Sequence, residues 1–158
     1  MIKGQIMDSV TAELIYQNYA EIGEGSLWDE KEELLYWVDI LRSQLFAFDP
    51  KNNSNLGFDM KEHIGTVVLR EKGGFMVALK NGFASFDPKT GKLEKINDPE
   101  SHIPNNRFND GKCDPQGRFW AGTMNYEIKE GAGSLYCMDT HLNVTKKIEN
   151  VTISNGLV

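Results

Sequence analysis

Cysteine is nearly missing. Only Cys113 and Cys137 occur among 158 residues, and their separation fits neither a metal-ligand nor a redox spacing. They read as ordinary thiols of a reducing cytoplasm, where the chain is expected, and they argue against a disulfide framework. Long apolar runs are missing as well. None approaches the ~20 residues of a membrane span, and Met1-Ile2-Lys3-Gly4-Gln5 lacks the apolar core of a signal peptide, so no membrane partner is expected. Clustered positive charge is the third absence. Lys and Arg number 17 against 23 Asp and Glu, for a net charge of −6. The nearest basic cluster is Lys146-Lys147, too short to grip phosphates, so no nucleic-acid partner is expected. Histidine is scarce: His63, His102 and His141 lie in unrelated polar surroundings, without a nucleophile elbow or a zincin pattern. They read as surface residues. A phosphate-binding Gly-rich loop and a sustained helical period are also lacking, so helix content should be low.

What is present is strand signal. Leu34 to Ile40 is apolar, aromatic and β-branched, and similar runs recur at Thr66 to Leu69, Gly74 to Leu79 and Arg118 to Gly122. Turn-rich clusters separate them at Asp49 to Asn53, Asp87 to Gly91 and Asp114 to Gly117, with Asp49, Asp87 and Asp114 as turn initiators. The runs repeat themselves. Leu-Phe-Ala-Phe-Asp-Pro at Leu45 to Pro50 returns as Phe-Ala-Ser-Phe-Asp-Pro at Phe83 to Pro88, and more weakly as Leu-Tyr-Cys-Met-Asp at Leu135 to Asp139. The preceding strands start near Leu35, Phe75 and Phe119, in steps of 40 and 44 residues. That period, with several short strands per unit, is the mark of a propeller blade. A β-sandwich also alternates short strands and turns, but it does not call for the repeat. About three units fit, whereas a propeller closes with about four to eight blades. Either residues 1–158 are an incomplete domain, or copies self-associate through open blade edges.

Three polar, Gly-bearing clusters read as loops beside strands. In Ile22 to Asp29, Glu24 stands between two glycines and is free to turn its carboxylate into a cavity; a solvated turn is the plainer reading. In Asn105 to Lys112, Asp110-Gly111 reads as a hairpin turn, but a turn does not need Arg107 and Asn109 upstream. Those two side chains suit a small polyhydroxylated or carboxylate ligand. In Ile153 to Leu157, Asn155-Gly156 is again turn chemistry. Together the clusters offer Glu and Asn oxygens. Such donors suit Ca²⁺ or Mg²⁺, with Mn²⁺ and Zn²⁺ further down the order.

In this order, Gly23-Glu24-Gly25-Ser26-Leu27-Trp28-Asp29, Asn106 to Met124 and Ile153-Ser154-Asn155-Gly156-Leu157 resemble the SMP-30/gluconolactonase/LRE (regucalcin-like) family. The middle stretch, with Arg-Phe-Asn-Asp-Gly-Lys, Asp-Pro, Gly-Arg and Ala-Gly-Thr-Met, is the most specific. The resemblance covers about Glu21 to Val158. It implies an all-β chain: a six-bladed β-propeller, of which about three blades, the N-terminal half, lie in residues 1–158.

The resemblance further implies one divalent metal ion on the propeller axis, Ca²⁺ first among the candidates. Glu24 and Asn155 match metal-binding positions. Arg107 and Asn109 match substrate-binding positions, as does Glu127 on a less diagnostic stretch. The implied chemistry is hydrolysis of a small-molecule sugar lactone or similar cyclic ester. The resemblance places the general-base Asp beyond Val158, and one carboxylate with two amides carries too little charge to bind a divalent ion tightly. The 158-residue chain alone is therefore expected to be inactive or nearly so. Alternatives are a non-catalytic Ca²⁺-binding regulatory propeller, a self-associating interaction module and a strictosidine-synthase-like propeller. The last has no use for Glu24 and Asn155.

Overall fold

The computed structural model describes residues 11–158; the reading of Met1 to Gln5 lies outside them. Twelve strands follow in chain order: β1 Gly23–Asp29, β2 Leu34–Asp39, β3 Gln44–Asp49, β4 Ser54–Asp59, β5 Ile64–Leu69, β6 Phe75–Leu79, β7 Gly82–Asp87, β8 Lys92–Asn97, β9 Asn106–Cys113, β10 Phe119–Asn125, β11 Gly133–Met138 and β12 Val144–Val151. Each run of four forms one antiparallel meander, giving three four-stranded sheets. These are three propeller blades, and no helix occurs among the described residues.

The repeat in the sequence is the third strand of each blade. Leu45 to Asp49 lies in β3, Phe83 to Asp87 in β7 and Leu135 to Met138 in β11. The Asp that closes each repeat turns the chain. Asp49 accepts from the Lys51 amide at 2.8 Å, Asp87 from the Lys89 amide at 2.9 Å and Asp139 from the His141 amide at 2.8 Å. Asp114 does the same with the Gln116 amide at 3.0 Å. These side-chain turns satisfy amides that the strands leave unpaired.

Packing explains why the second blade is apolar without alternation. In β6 every residue is buried. Phe75, Val77 and Leu79 join Val38, Ile40, Leu45 and Ile64 against the first blade. Met76 and Ala78 join Phe83, Phe108, Phe119 and Tyr136 against the third. A strand covered on both faces needs apolar residues at both phases of its period of two. Each large side chain so buried contributes roughly 1.5–3 kcal/mol. The outer strands β4, β8 and β12 are largely exposed and correspondingly polar.

The inner strands β1, β5 and β9 pack against one another. In all three blades the innermost pairing is interrupted near the same end. Register shifts between Glu24 and Leu27 and between Ile64 and Thr66, and in β9 Asn109 and Asp110 together oppose Gly122. Such bulges re-aim side chains at the rim of a sheet. They require glycine where backbones meet. A Cβ on Gly65 would fall 2.5 Å from the Phe108 carbonyl oxygen and 2.7 Å from that of Asn109, and Gly25 sits at φ +61°.

This corrects two expectations. The first two polar clusters are not loops but the bulged inner strands β1 and β9, and Asp110-Gly111 lies inside β9 rather than in a hairpin turn. Gly111 is there because β9 runs close to β10 and β5, not because the chain reverses. A Cβ on it would meet the Trp120 carbonyl oxygen at 2.5 Å and the Thr66 methyl at 2.9 Å.

Candidate functional site

The bulge in β9 places Arg107 and Asn109 side by side. Both are buried, at 5% and 8% exposure. The Arg107 guanidinium donates through Nη1 to Asn109 Oδ1 at 2.8 Å and to the Phe108 carbonyl at 3.0 Å. Asn109 in turn donates Nδ2 to the Ser154 carbonyl at 2.8 Å. Asp110 holds the same C-terminal segment from the other side, accepting from the Leu157 amide at 2.8 Å, while its second oxygen takes the Gly111 amide at 2.7 Å. Met124 pairs with Ile153 in an isolated bridge. The third cluster is thus tied to the second by backbone and side chain together.

Burial pushes the Arg107 guanidinium below its ordinary pKa, and the charges of Tyr126 and Glu24 work in the opposite direction. Arg107 Nε is buried without a hydrogen-bond partner, a donor left waiting for an acceptor. Tyr126 covers the guanidinium, its ring centre 5.7 Å from Cζ.

A buried carboxylate organises the floor. Glu100 accepts from Asn106 Nδ2 at 2.9 Å, Thr123 Oγ1 at 3.0 Å and Tyr136 Oη at 3.0 Å. Burial first, and then the Glu100 charge, push the Tyr136 phenol well above its ordinary pKa. Asn106 also accepts from Asn125 Nδ2 at 2.9 Å, and Asn125 Oδ1 takes the Glu127 amide at 3.0 Å. One chain of bonds therefore runs from Glu100 to the turn that carries Tyr126 and Glu127.

The remaining residues singled out in the sequence lie on the rim. Glu24, Glu127 and Asn155 are exposed. Glu24 precedes Gly25, whose Cα faces Gly65 and Thr66; Gly65 faces Phe108 and Asn109; Asn155 follows Ser154. The three inner strands and the C-terminal segment thus converge at one end of the sheets. Two concavities lie elsewhere. One sits between residues 14–20 and Trp37, the other beside Met138 and Cys113 at the far ends of β5 and β9.

Among the described residues no three His, Cys, Asp or Glu side chains are grouped as a metal site. The hard oxygens of Glu24 and Asn155 fit a Ca²⁺-like ion in kind. Asn109 Oδ1 already receives the Arg107 guanidinium and both Asp110 oxygens accept backbone amides, so the carboxylate of Glu24 is the principal negative charge on offer.

Sequence reasoning missed three participants. The sequence predicts His63 at the surface with His102 and His141, which are indeed exposed. His63 is half-buried instead, with Nδ1 2.6 Å from Tyr126 Oη. Burial first, then the charges of Arg107 and Lys80, hold its pKa below the ordinary value, against Glu21 and Glu62. Tyr126 and Glu100 carried no recognisable local signal.

The family model for the SMP-30/Gluconolactonase/LRE-like region matches residues 22–158. The Bacillus subtilis protein YvrE, which carries a sugar lactone lactonase name, is 41% identical over 138 residues, covering 87% of this chain and 47% of its own length. A 6-deoxy-6-sulfogluconolactonase of Pseudomonas putida is 35% identical over 147 residues, covering 93% and 50%. The crystal structure of a calcium-binding protein, regucalcin, from Agrobacterium tumefaciens superposes with a TM-score of 0.83 at 27% identity, covering 88% and 47%. The chain spans about half the length of the curated relatives it matches. With its three bladed sheets and its matched inner strands, this chain belongs to the SMP-30/gluconolactonase/LRE-like family.

Proposed function

We propose that the complete protein of which these blades form part opens sugar lactones or similar cyclic esters with the aid of one divalent metal ion. The observation that carries this reading is Arg107: buried at the convergence of three inner strands, paired with Asn109, and left with an unpartnered Nε. A neutral, oxygen-rich ring offers such a pair acceptors and donors at once. Water adds to the lactone carbonyl carbon, the ring C–O bond breaks, and a hydroxy acid leaves.

A bound metal ion would polarise the carbonyl and stabilise the developing oxyanion; Glu24 and Asn155 would hold it. Arg107 and Asn109 orient the ring hydroxyls, and Glu127 contacts them from the rim. A general base must take a proton from the attacking water. Asp110 does not suit that task, since both its oxygens accept backbone amides. We infer that the base comes from outside residues 1–158, so that this chain alone turns over little or no lactone.

The test is acid release from a six-membered aldonolactone, followed with a pH indicator, with Ca²⁺, Mn²⁺ or Zn²⁺ added. The full-length protein should turn over the lactone, and Arg107→Ala should reduce kcat/KM at least tenfold, the scale of one lost charge-assisted contact. Robust turnover by the 158-residue chain that vanishes in Glu24→Ala overturns the inactivity and points to a site completed in a dimer. A second reading, a Ca²⁺-binding regulatory propeller, draws on the calcium-binding relative. Calorimetric Ca²⁺ binding by a full-length protein that leaves a lactone panel intact selects it.

A further inference from the structure

The Arg107 guanidinium is gripped on one edge only, through Nη1 to Phe108 and Asn109. On its open side lies the Tyr126 ring, its centre 5.7 Å from Cζ. Tyr126 is at the tip of a turn and 37% exposed, a setting in which side chains ordinarily hop between rotamers in picoseconds to nanoseconds. Here both ends of the residue are held. Its amide donates to the Asn105 carbonyl at 2.9 Å, and the turn is closed by the Ile128 amide on the Asn125 carbonyl at 2.9 Å. The phenol reaches into the second blade, where Oη lies 2.6 Å from His63 Nδ1, with the two rings edge to face. His63 is itself anchored, its carbonyl accepting the Lys80 amide at 2.7 Å.

We propose that Tyr126 is a positioning residue for Arg107 and that His63 locks it in place across the seam between the second and third blades. The inference rests on the lactone-binding reading of Arg107 given above. Neither His63 nor Tyr126 is needed to build a blade: His63 precedes β5, Tyr126 follows β10, and neither belongs to the apolar clusters. Their contact orders a charged side chain before ligand arrives, so that ordering is not charged against binding. The expected signature is a change in KM with little change in kcat, because the guanidinium grips ground state and transition state alike.

Two measurements test this. In the 158-residue chain, the Arg107 Nε–H signal is assigned by its loss in Arg107→Lys, and its exchange with water is followed by NMR. Tyr126→Ala should speed that exchange at least tenfold, His63→Ala should speed it less, and Tyr126→Phe, which keeps the ring, should match His63→Ala. In the full-length protein, Tyr126→Ala should raise KM for the aldonolactone about tenfold with kcat within twofold, and Tyr126→Phe should restore most of the loss. Exchange in Tyr126→Ala equal to wild type overturns the proposal. So does an unchanged KM in an enzyme that turns over lactone. Should wild type turn over no lactone, the function reading fails, and the exchange rates alone decide whether Tyr126 orders Arg107.

Discussion

Asn109 Nδ2 donates to the Ser154 carbonyl across 2.8 Å, and with the Asp110–Leu157 bond it joins the bulge of β9 to the segment that carries Asn155. The same amide accepts from Arg107 through Oδ1, so Asn109 sits between the guanidinium and the C-terminal segment. Asn109→Ala leaves a buried donor and a buried acceptor without partners, at a cost of about 1–3 kcal/mol. Asn109→Asp keeps an acceptor for Arg107 but has no donor for Ser154, so it should restore one contact and not the other. Hydrogen exchange at the Leu157 amide, which Asp110 holds, reports on the segment. Exchange should quicken in both variants, while the stability loss should be smaller in Asn109→Asp. Unchanged Leu157 protection in Asn109→Ala would show that Asp110 alone tethers the segment.

Glu100 offers a second lever, from below. Its carboxylate collects three donors, from Asn106, Thr123 and Tyr136, and is 7% exposed. Glu100→Ala leaves the Tyr136 hydroxyl without its acceptor, while Asn106 Nδ2 keeps the Ala132 carbonyl and Thr123 Oγ1 the Ser134 carbonyl. With the cavity it opens, a loss of at least about 1–3 kcal/mol is expected, the cost of one buried unpartnered donor. Glu100→Gln keeps the volume and one acceptor oxygen and should lose less. Because Asn106 and Asn125 relay the network to the Tyr126 turn, Glu100→Gln should also broaden the Tyr126 ring resonances in NMR spectra. Denaturation with urea gives the stability ranking; equal stability of wild type and Glu100→Ala would contradict the network.

The repeat was legible in the sequence because β3, β7 and β11 share one physical task. Each is mostly buried, and each ends where an Asp side chain takes the backbone amide two residues on. The site residues were legible as types but were placed in the wrong kind of element. Gly25 and Asp110-Gly111 look like turns, since glycine and short polar residues favour turns, yet here Gly25 and Asp110 lie in bulges of inner strands and Gly111 pairs with Ala121 beside one. A bulge and a turn ask for the same residues; only tertiary packing separates them. His63–Tyr126 and Glu100–Tyr136 were beyond reach for another reason. Their partners are 63 and 36 residues apart, and no local period or spacing records such a contact. A lone His before a strand looks like any surface His until the neighbouring blade is in place.

That His63 contact makes stability depend on pH in a defined direction. Burial, then Arg107 and Lys80, lower the His63 pKa in the folded chain, with Glu21 and Glu62 opposing, while an unfolded chain returns it to about 6.5. With its proton on Nε2, the neutral imidazole accepts the Tyr126 O–H at Nδ1. As the pH falls, the unfolded chain takes up the proton first. The stabilisation is therefore complete above pH 6.5 or so, declines as the pH drops below that value, and levels off once the folded form is protonated too. Urea denaturation between pH 5 and 8 should show this decline in wild type and a flatter profile in His63→Gln. A proton NMR titration of the His63 ring should give a midpoint below the ordinary imidazole value of about 6.5. Added salt should narrow the gap by screening Arg107 and Lys80. A His63 midpoint at or above the ordinary value would mean that Glu21 and Glu62 outweigh burial and the two cations around the Tyr126 phenol.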